Sequence, residues 1–183
     1  RGRDGRGDVW YGSVLWLAMN DLSVIEAQQF RVDAIALQDE MMRLVADEAA
    51  QMPDCPLTHR FIPPDAAYGC AVYAREILLP QGSLIIGKIH KHEHLAFLLK
   101  GKIIVATEAG RETLTAPQTF ISPAGVKRVL YVEEEAIVTT VHLTKQYGEQ
   151  WLAEIEDEVI AASYEEFDRM VSARLMGQIG GGE

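Results

Sequence analysis

The chain has 183 residues, of which 48% are hydrophobic and 24% are charged, and its formal net charge is −10. These values are ordinary for a globular protein and exclude a disordered or collagen-like chain. The excess of acidic residues and the lack of a dense basic patch argue against nucleic acid or an anionic membrane as a partner.

The N-terminal part of the chain predicts one long helix. Residues 1–22 begin with a stretch rich in Gly and Arg, and we expect them to form a mobile segment. Ser23 and Glu26 have the spacing of a capping box, which predicts a helix start. Apolar residues then recur at spacings of three and four, so an amphipathic helix is expected over 23–52. Its apolar stripe predicts packing on the next domain or on a second copy of the helix.

Residues 57–145 consist of short apolar runs separated by turn residues such as Gly82, Gly101 and Gly125. The runs are rich in Ile, Val, Tyr and Thr, which favour strands. Many short strands separated in this way predict a β-sandwich or β-barrel rather than a βαβ fold.

Helical spacing returns after Gly148. One face of this segment carries Trp151, Leu152, Ile155 and Val159. Ser163 and Glu166 form a second capping box. The pattern predicts a helical extension over 148–177, followed by a frayed tail over 178–183.

Three of the five histidines lie close together, at His90, His92 and His94. In a straight strand they would share one face, with neighbours ~6.7 Å apart and the outer two ~13 Å apart. Because metal–imidazole bonds are only ~2.1 Å long, one metal can bind two neighbouring histidines of such a strand. His90 and His94 can share a metal only if the chain turns between them.

Two segments of the chain resemble the cupin family. Residues 80–101 resemble the first cupin motif, in which a HxH pair is followed by a Glu and, seven residues later, by a Gly. Residues 116–128 resemble the second motif, in which PxG is followed by a His. The resemblance implies a mainly β fold, with a single cupin-type (jelly-roll) β-barrel over 57–145, an N-terminal helix and C-terminal helices. The chain also resembles small uncharacterised cupin-like proteins of bacteria and tailed phages.

The cupin register implies an altered set of metal ligands. Counting back seven residues from Gly101 reaches His94, where the family has Glu, and the same register places His90 at the second His. Lys88 then takes the place of the first His, and Arg128 that of the His in the second motif. In the alternative register, His90 and His92 form the HxH pair. Either register departs from the usual site of two histidines and one carboxylate.

His142 is the candidate for the missing ligand, since it lies on a predicted strand over 136–143. His90, His94 and His142 would form a three-imidazole site for a divalent transition metal such as Zn, Fe, Ni, Mn or Cu. His92 stays a further candidate ligand. Glu93 is the catalytic candidate, because it can orient a ligand or act as a base.

Lys88 and Arg128 are candidates for binding an anionic substrate such as a carboxylate or a phosphate. Two cations beside a metal would repel it unless an anion lies between them. Three functions stay open: a metal-binding cupin that acts on a small polar or anionic molecule, a metal-free sensor or binding protein, and a structural or assembly protein of phage type.

Two further expectations concern location and assembly. The chain has two cysteines and no CxxC pair, which is typical of reduced thiols and a cytoplasmic protein. The apolar stripe of the N-terminal helix and the edges of a cupin sheet predict a homodimer.

Overall fold

The computed structural model describes residues 9–67 and 69–180. Its helices are α1 Val9–Ala46, α2 Leu152–Val159 and α3 Tyr164–Gly180, with a 3₁₀ turn at Glu149–Trp151. Its strands are β1 Leu57–Ile62, β2 Ala71–Leu79, β3 Leu84–Ile86, β4 Ile89–His90, β5 His94–Thr107, β6 Gly110–Thr115, β7 Gln118–Ser122, β8 Val129–Thr144 and β9 Ile160–Ala161. The predicted fold class, mainly β with flanking helices, is confirmed.

Helix α1 is longer at its start and shorter at its end than the sequence predicts. It begins at Val9, since the apolar stretch before Ser23 contains no proline and continues the helix through the predicted cap. It ends at Ala46 because Glu48 has a φ of 57° and the Ala49 N–H donates back to the Leu44 carbonyl at 2.9 Å. Residues 1–8 of the predicted mobile segment lie outside the described residues.

Helix α1 packs on the barrel and on the C-terminal extension. Arg31 forms ion pairs with Glu108, at 2.7 Å, and with Asp168 of α3, at 3.5 Å. Its guanidinium carbon lies 4.4 Å from the centre of the Tyr164 ring, and the nearby Ala34 is 2% exposed. The helix was predicted to pack either on the next domain or on a second copy of itself. The structure shows it packed on the rest of its own chain.

Seven strands form one antiparallel sheet with two long strands, β5 and β8, side by side in its centre. The second half of β8 pairs with β2 and the first half pairs with β3, while β5 pairs with β7 near its start and with β6 near its end. The β5–β8 register shifts between Leu98 and Ile103. Such irregularities bend strands and let them pass from one barrel face to the other.

The bend encloses a core drawn from both halves of the sheet, which is formed by Leu79, Leu98, Ile103, Val105, Val132 and Ala136. Gly101 lies at the bend with a φ of 84°. A Cβ atom there would lie 2.7 Å from the Glu134 carbonyl oxygen and 2.8 Å from the Ala136 Cα. Gly101 was expected in a turn between two strands, but it lies inside β5, where only glycine fits against the bent partner strand.

The C-terminal extension packs against the strand β4. Its short strand β9 pairs antiparallel with β4, so Ile89 lies opposite Ala161 and His90 opposite Ile160. Ile89 and Ala161 are buried in a second apolar cluster with Tyr164 and Phe167. Helix α3 runs on through the predicted end at residue 177 to Gly180, and residues 181–183 of the predicted tail lie outside the described residues. None of the described helices is long and apolar enough to cross a membrane.

Candidate metal centre

The structure brings together three histidines from three separate strands. His90 ends β4, His94 begins β5, and His142 lies in the second half of β8. Each imidazole has one ring nitrogen in this group, and the three nitrogens all lie within 4.8 Å of one another. The ring centres are 4.2 Å apart for His90 and His94, 4.3 Å for His94 and His142, and 5.0 Å for His90 and His142. Since two metal–nitrogen bonds together span ~4.2 Å, a small shift of the rings suffices for all three to bind one ion.

The local chain path explains this convergence. The backbone bends at Lys91 and His92, between β4 and β5, so His90 and His94 face each other instead of lying along one straight strand. The carbonyl of His90 accepts a hydrogen bond from the Gly125 N–H at 2.9 Å, which holds β4 against the β7–β8 loop. Strands β5 and β8 are direct neighbours, and their register sets His94 beside His142.

Two of the rings have a nitrogen atom available for metal binding. The Nδ1 atom of His94 lies 3.2 Å from the carbonyl oxygen of His92. Because a carbonyl only accepts, this Nδ1 carries the proton, and Nε2 is left with a free lone pair. The Nδ1 atom of His90 is buried without a hydrogen-bond partner. A buried, unpaired imidazole nitrogen beside two others fits a metal ligand.

The environment keeps the three imidazoles neutral. The pKa of His90 is lowered to about 2, mainly by burial and further by the positive charges of Arg75, Arg128 and the neighbouring imidazoles when they are protonated. The pKa of His142 is lowered to about 3 for the same reasons, and burial also lowers the pKa of His94. Metal binding requires neutral imidazole, so the residues and their surroundings fit a metal ion.

The histidines separate an inner cavity from an outer groove. The inner cavity has a volume of about 230 Å³ and is lined by inward-facing side chains of the barrel, with His90 and His94 among its lining residues. The outer groove has a volume of about 640 Å³, and it is bordered by His94 and His142 together with the apolar side chains Leu95, Ile121, Val141 and Leu143. A metal held by the three rings would therefore be reached from inside the barrel, from the groove, or from both.

His92 and Glu93 lie outside the three-histidine group. Both border the outer groove. His92 is half-buried and contributes its carbonyl to the orientation of His94. Glu93 is exposed, and its carboxylate is not among the grouped ligand atoms of the described residues. Any part that Glu93 plays must therefore act on a molecule that occupies the groove.

The two predicted anion-binding cations have different surroundings. Arg128 is half-buried at the inner cavity, where Nη1 donates to the Ser122 hydroxyl at 2.8 Å. Its guanidinium carbon lies 5.9 Å from the centre of the Phe120 ring. Lys88 borders the same cavity, but its Nζ pairs with Glu156 of α2 at 3.2 Å and its side chain is exposed. Arg128 is thus available to a ligand in the cavity, whereas the amine of Lys88 already has a carboxylate partner.

Sequence reasoning missed three residues around the site. Arg75 and Thr140 line the inner cavity. Tyr73 is 1% exposed, its ring stacks on His142 with centres 6.1 Å apart, and its hydroxyl lies 2.8 Å from Nδ1 of His59. Strand alternation could have identified two of them, because Arg75 shares the inward face of β2 with Tyr73 and Leu79, which are buried.

No protein-family model matches the chain, and no curated protein matches it. Solved structures similar to it include a cupin superfamily protein from Desulfitobacterium hafniense, with a TM-score of 0.40 and 10% identity over 52% of this chain and 82% of that one. A putative ethanolamine utilization protein Q from Salmonella typhimurium has a TM-score of 0.41 and 13% identity over 54% of this chain and 76% of that one.

A salicylate 1,2-dioxygenase from Pseudaminobacter salicylatoxidans has a TM-score of 0.43 and 12% identity, and the match covers 73% of this chain and 35% of the dioxygenase. Cupin proteins thus occur among the similar solved structures. At this level of similarity they say nothing about the substrate or chemistry of this chain. The likeness to phage proteins stays a prediction.

Proposed function

We propose that this protein is a small cupin-type protein that binds one divalent transition metal through His90, His94 and His142. The observation that carries the proposal is the convergence of three imidazoles whose ligand atoms lie within 4.8 Å of one another. The lowered pKa values of all three rings support it, since neutral imidazole is the form that binds metal. An all-imidazole ligand set suits Zn, Cu, Fe or Ni better than Mg or Ca.

Three protein ligands leave a coordination position for water or for a small polar or anionic molecule. A metal bound there would polarise that molecule or lower the pKa of bound water. The protein's own part is to hold the rings. The His92 carbonyl sets the tautomer of His94, the Tyr73 ring supports His142, and strand β9 holds the backbone of His90. Glu93 would act as a base only toward a molecule in the outer groove.

Metal analysis of protein purified without a metal-affinity step tests the proposal. We expect close to one transition-metal ion per chain and a lower melting temperature after chelation. His142→Ala should abolish metal retention, because two imidazoles and no carboxylate are left in the group. His92→Ala is the matched variant, and retention of the metal in it would argue against the alternative His90–His92 pair. Metal at background levels, with melting unchanged by chelation, would exclude the proposed function.

A metal-free binding protein is the second candidate. It is favoured by the inner cavity, whose lining includes Arg75 and Arg128 together with His90 and His94. The same metal analysis separates the two candidates, because a metal-free binding protein gains no stability from added Zn²⁺, Fe²⁺ or Ni²⁺. The expected homodimer, like the role of the barrel as a scaffold, stays a prediction.

A further inference from the structure

We infer that the inner cavity binds a small carboxylate anion between Arg75 and Arg128, with Thr140 as a further hydrogen-bond donor. The inference rests on the proposed function in one respect, since it names the substrate class that would meet the metal centre. Anion binding itself is a property of the cavity and is measurable without metal.

The register of the sheet places Arg75 and Thr140 directly beside the histidines. On the neighbouring strands β2 and β8, Tyr73 pairs with His142 and Arg75 pairs with Thr140. A step of two residues along a strand covers ~6.7 Å and returns to the same face. Arg75 and Thr140 therefore form the next inward-facing layer of the barrel, and both border the inner cavity.

The cavity presents polar atoms that the protein itself leaves unpaired. Nε of Arg75 and Oγ1 of Thr140 are buried and have no hydrogen-bond partner, and both residues line this one cavity. Buried polar groups in folded proteins nearly always have a partner from the protein, from water or from a ligand. Since the guanidinium only donates and the hydroxyl can donate, the missing partner is an acceptor.

The charge of the cavity points to an anion. Its lining includes Arg75 and Arg128 and contains no Asp or Glu. Among residues 9–67 and 69–180, neither arginine takes part in an ion pair. Two guanidinium groups at one cavity repel each other and would also repel a metal at the histidines. An anion between them removes this cost, and a carboxylate matches the paired N–H groups of a guanidinium.

Size and wall chemistry narrow the choice of anion. A volume of about 230 Å³ is below the ~300–1,000 Å³ of pockets for drug-sized molecules, so the cavity suits a ligand smaller than a nucleotide. Most of the other lining side chains are apolar, with Ile77, Leu130 and Val138 among them. A carboxylate on a short apolar chain meets both requirements, whereas a fully hydrated phosphate leaves the apolar walls without a partner.

The test uses the full chain after chelation, titrated by calorimetry with propionate, with its uncharged analogue propionamide and with inorganic phosphate. We expect saturable binding of propionate and no binding of propionamide. Arg75→Gln and Arg128→Gln should each weaken propionate binding at least about tenfold, because each removes a charge-assisted hydrogen bond. Thr140→Val, which conserves side-chain shape, should weaken it about threefold.

Arg60→Gln is the matched control, since Arg60 lies on the adjacent strand β1 with an exposed side chain that pairs with Glu76. It should bind propionate like the unaltered chain, and circular dichroism of each variant reports its folding. Equal propionate binding in Arg75→Gln, binding of propionamide as tight as that of propionate, a preference for phosphate, or the absence of saturable propionate binding would each overturn the inference. Metal retention without propionate binding leaves the proposed function standing, and propionate binding without metal retention leaves only the anion site.

Discussion

The imidazole rings of His90 and His142 lie parallel, with an interplanar angle of 3° and centres 5.0 Å apart. His142 belongs to β8, one of the two central strands of the large sheet, whereas His90 lies on β4, whose hydrogen-bonded neighbour is β9 of the C-terminal extension. The alignment of the two rings therefore depends on how the extension docks on the barrel. The extension is thus part of the candidate metal centre, although it supplies none of the three ligands.

Lys91 connects this extension to the ligand segment, and its loss should weaken metal binding. Its N–H donates to the Val159 carbonyl at 2.8 Å, and its half-buried amine pairs with Glu166 at 2.7 Å and donates to the Asp157 carbonyl at 2.7 Å. We expect Lys91→Ala to lower the free energy of unfolding by about 1–3 kcal/mol and to raise the dissociation constant for Zn²⁺.

Lys88→Ala is the control for Lys91→Ala, since the Lys88 amine forms a more exposed ion pair with Glu156 on the same extension. We expect its effect on the free energy of unfolding to stay below about 1 kcal/mol. Chemical denaturation and competition with a chromophoric zinc chelator measure both quantities. Equal effects of the two substitutions would show that Lys91 does not position His90.

Acid should destabilise the metal-free protein from about pH 6.5 downward. In the folded chain the pKa of His90 is lowered to about 2 and that of His142 to about 3, from the usual value of 6.5. Below pH 6.5 the unfolded chain therefore takes up protons that the folded chain excludes, so stability is lost as the pH falls toward 3. Each histidine contributes at most about 1.4 kcal/mol per pH unit in this window.

Denaturant unfolding of the metal-free chain at several pH values measures this dependence. The same series with His142→Gln should show a shallower loss of stability, because the substituted residue takes up no proton in either state. An identical slope in both proteins would show that His142 is not held neutral in the folded chain.

Gly101→Ala should prevent stable folding, because a Cβ atom at this bend overlaps the backbone of β8. The added carbon would lie 2.7 Å from the Glu134 carbonyl oxygen, and the φ of 84° is already unfavourable for alanine. Gly82 has a similar φ of 80° and no atom within 4 Å of such a carbon, so Gly82→Ala isolates the backbone cost of about 1–2 kcal/mol. Thermal melting compares the two variants, and equal melting temperatures would contradict the steric explanation.

Tyr73 should support His142 through its ring rather than through its hydroxyl. Tyr73→Phe keeps the ring that stacks on His142 and removes only the contact with His59. We expect it to lower the free energy of unfolding by about 1 kcal/mol and to leave Zn²⁺ affinity unchanged. Tyr73→Leu, which loses the aromatic ring, should weaken Zn²⁺ binding. A loss of affinity in Tyr73→Phe would instead assign the support to the hydroxyl.

Local patterns in the sequence are sufficient to predict several features of this protein. Short runs of β-forming residues between turns predict a mainly β chain, because strand preference and turn formation depend on neighbouring residues. The distance from Gly101 selects His90 and His94, and strand alternation adds His142. These three side chains are the ones that the structure brings together. Residues close in sequence and joined by one bend have few ways to arrange themselves.

Features that depend on distant contacts were decided only by the tertiary structure. Lys88 and Arg128 are equally good candidates for anion binding when only the sequence is considered. The docking of α2 gives Lys88 a carboxylate partner, while Arg128 stays at the cavity. Arg75 is brought to the same cavity because the β5–β8 pair bends at Gly101 and folds the sheet over. By itself the sequence determined the strands and the histidines that stand close along them. Which charged side chains share the cavity depended on how the strands and the extension pack, since long-range packing decides whether a charge finds a partner or faces a cavity.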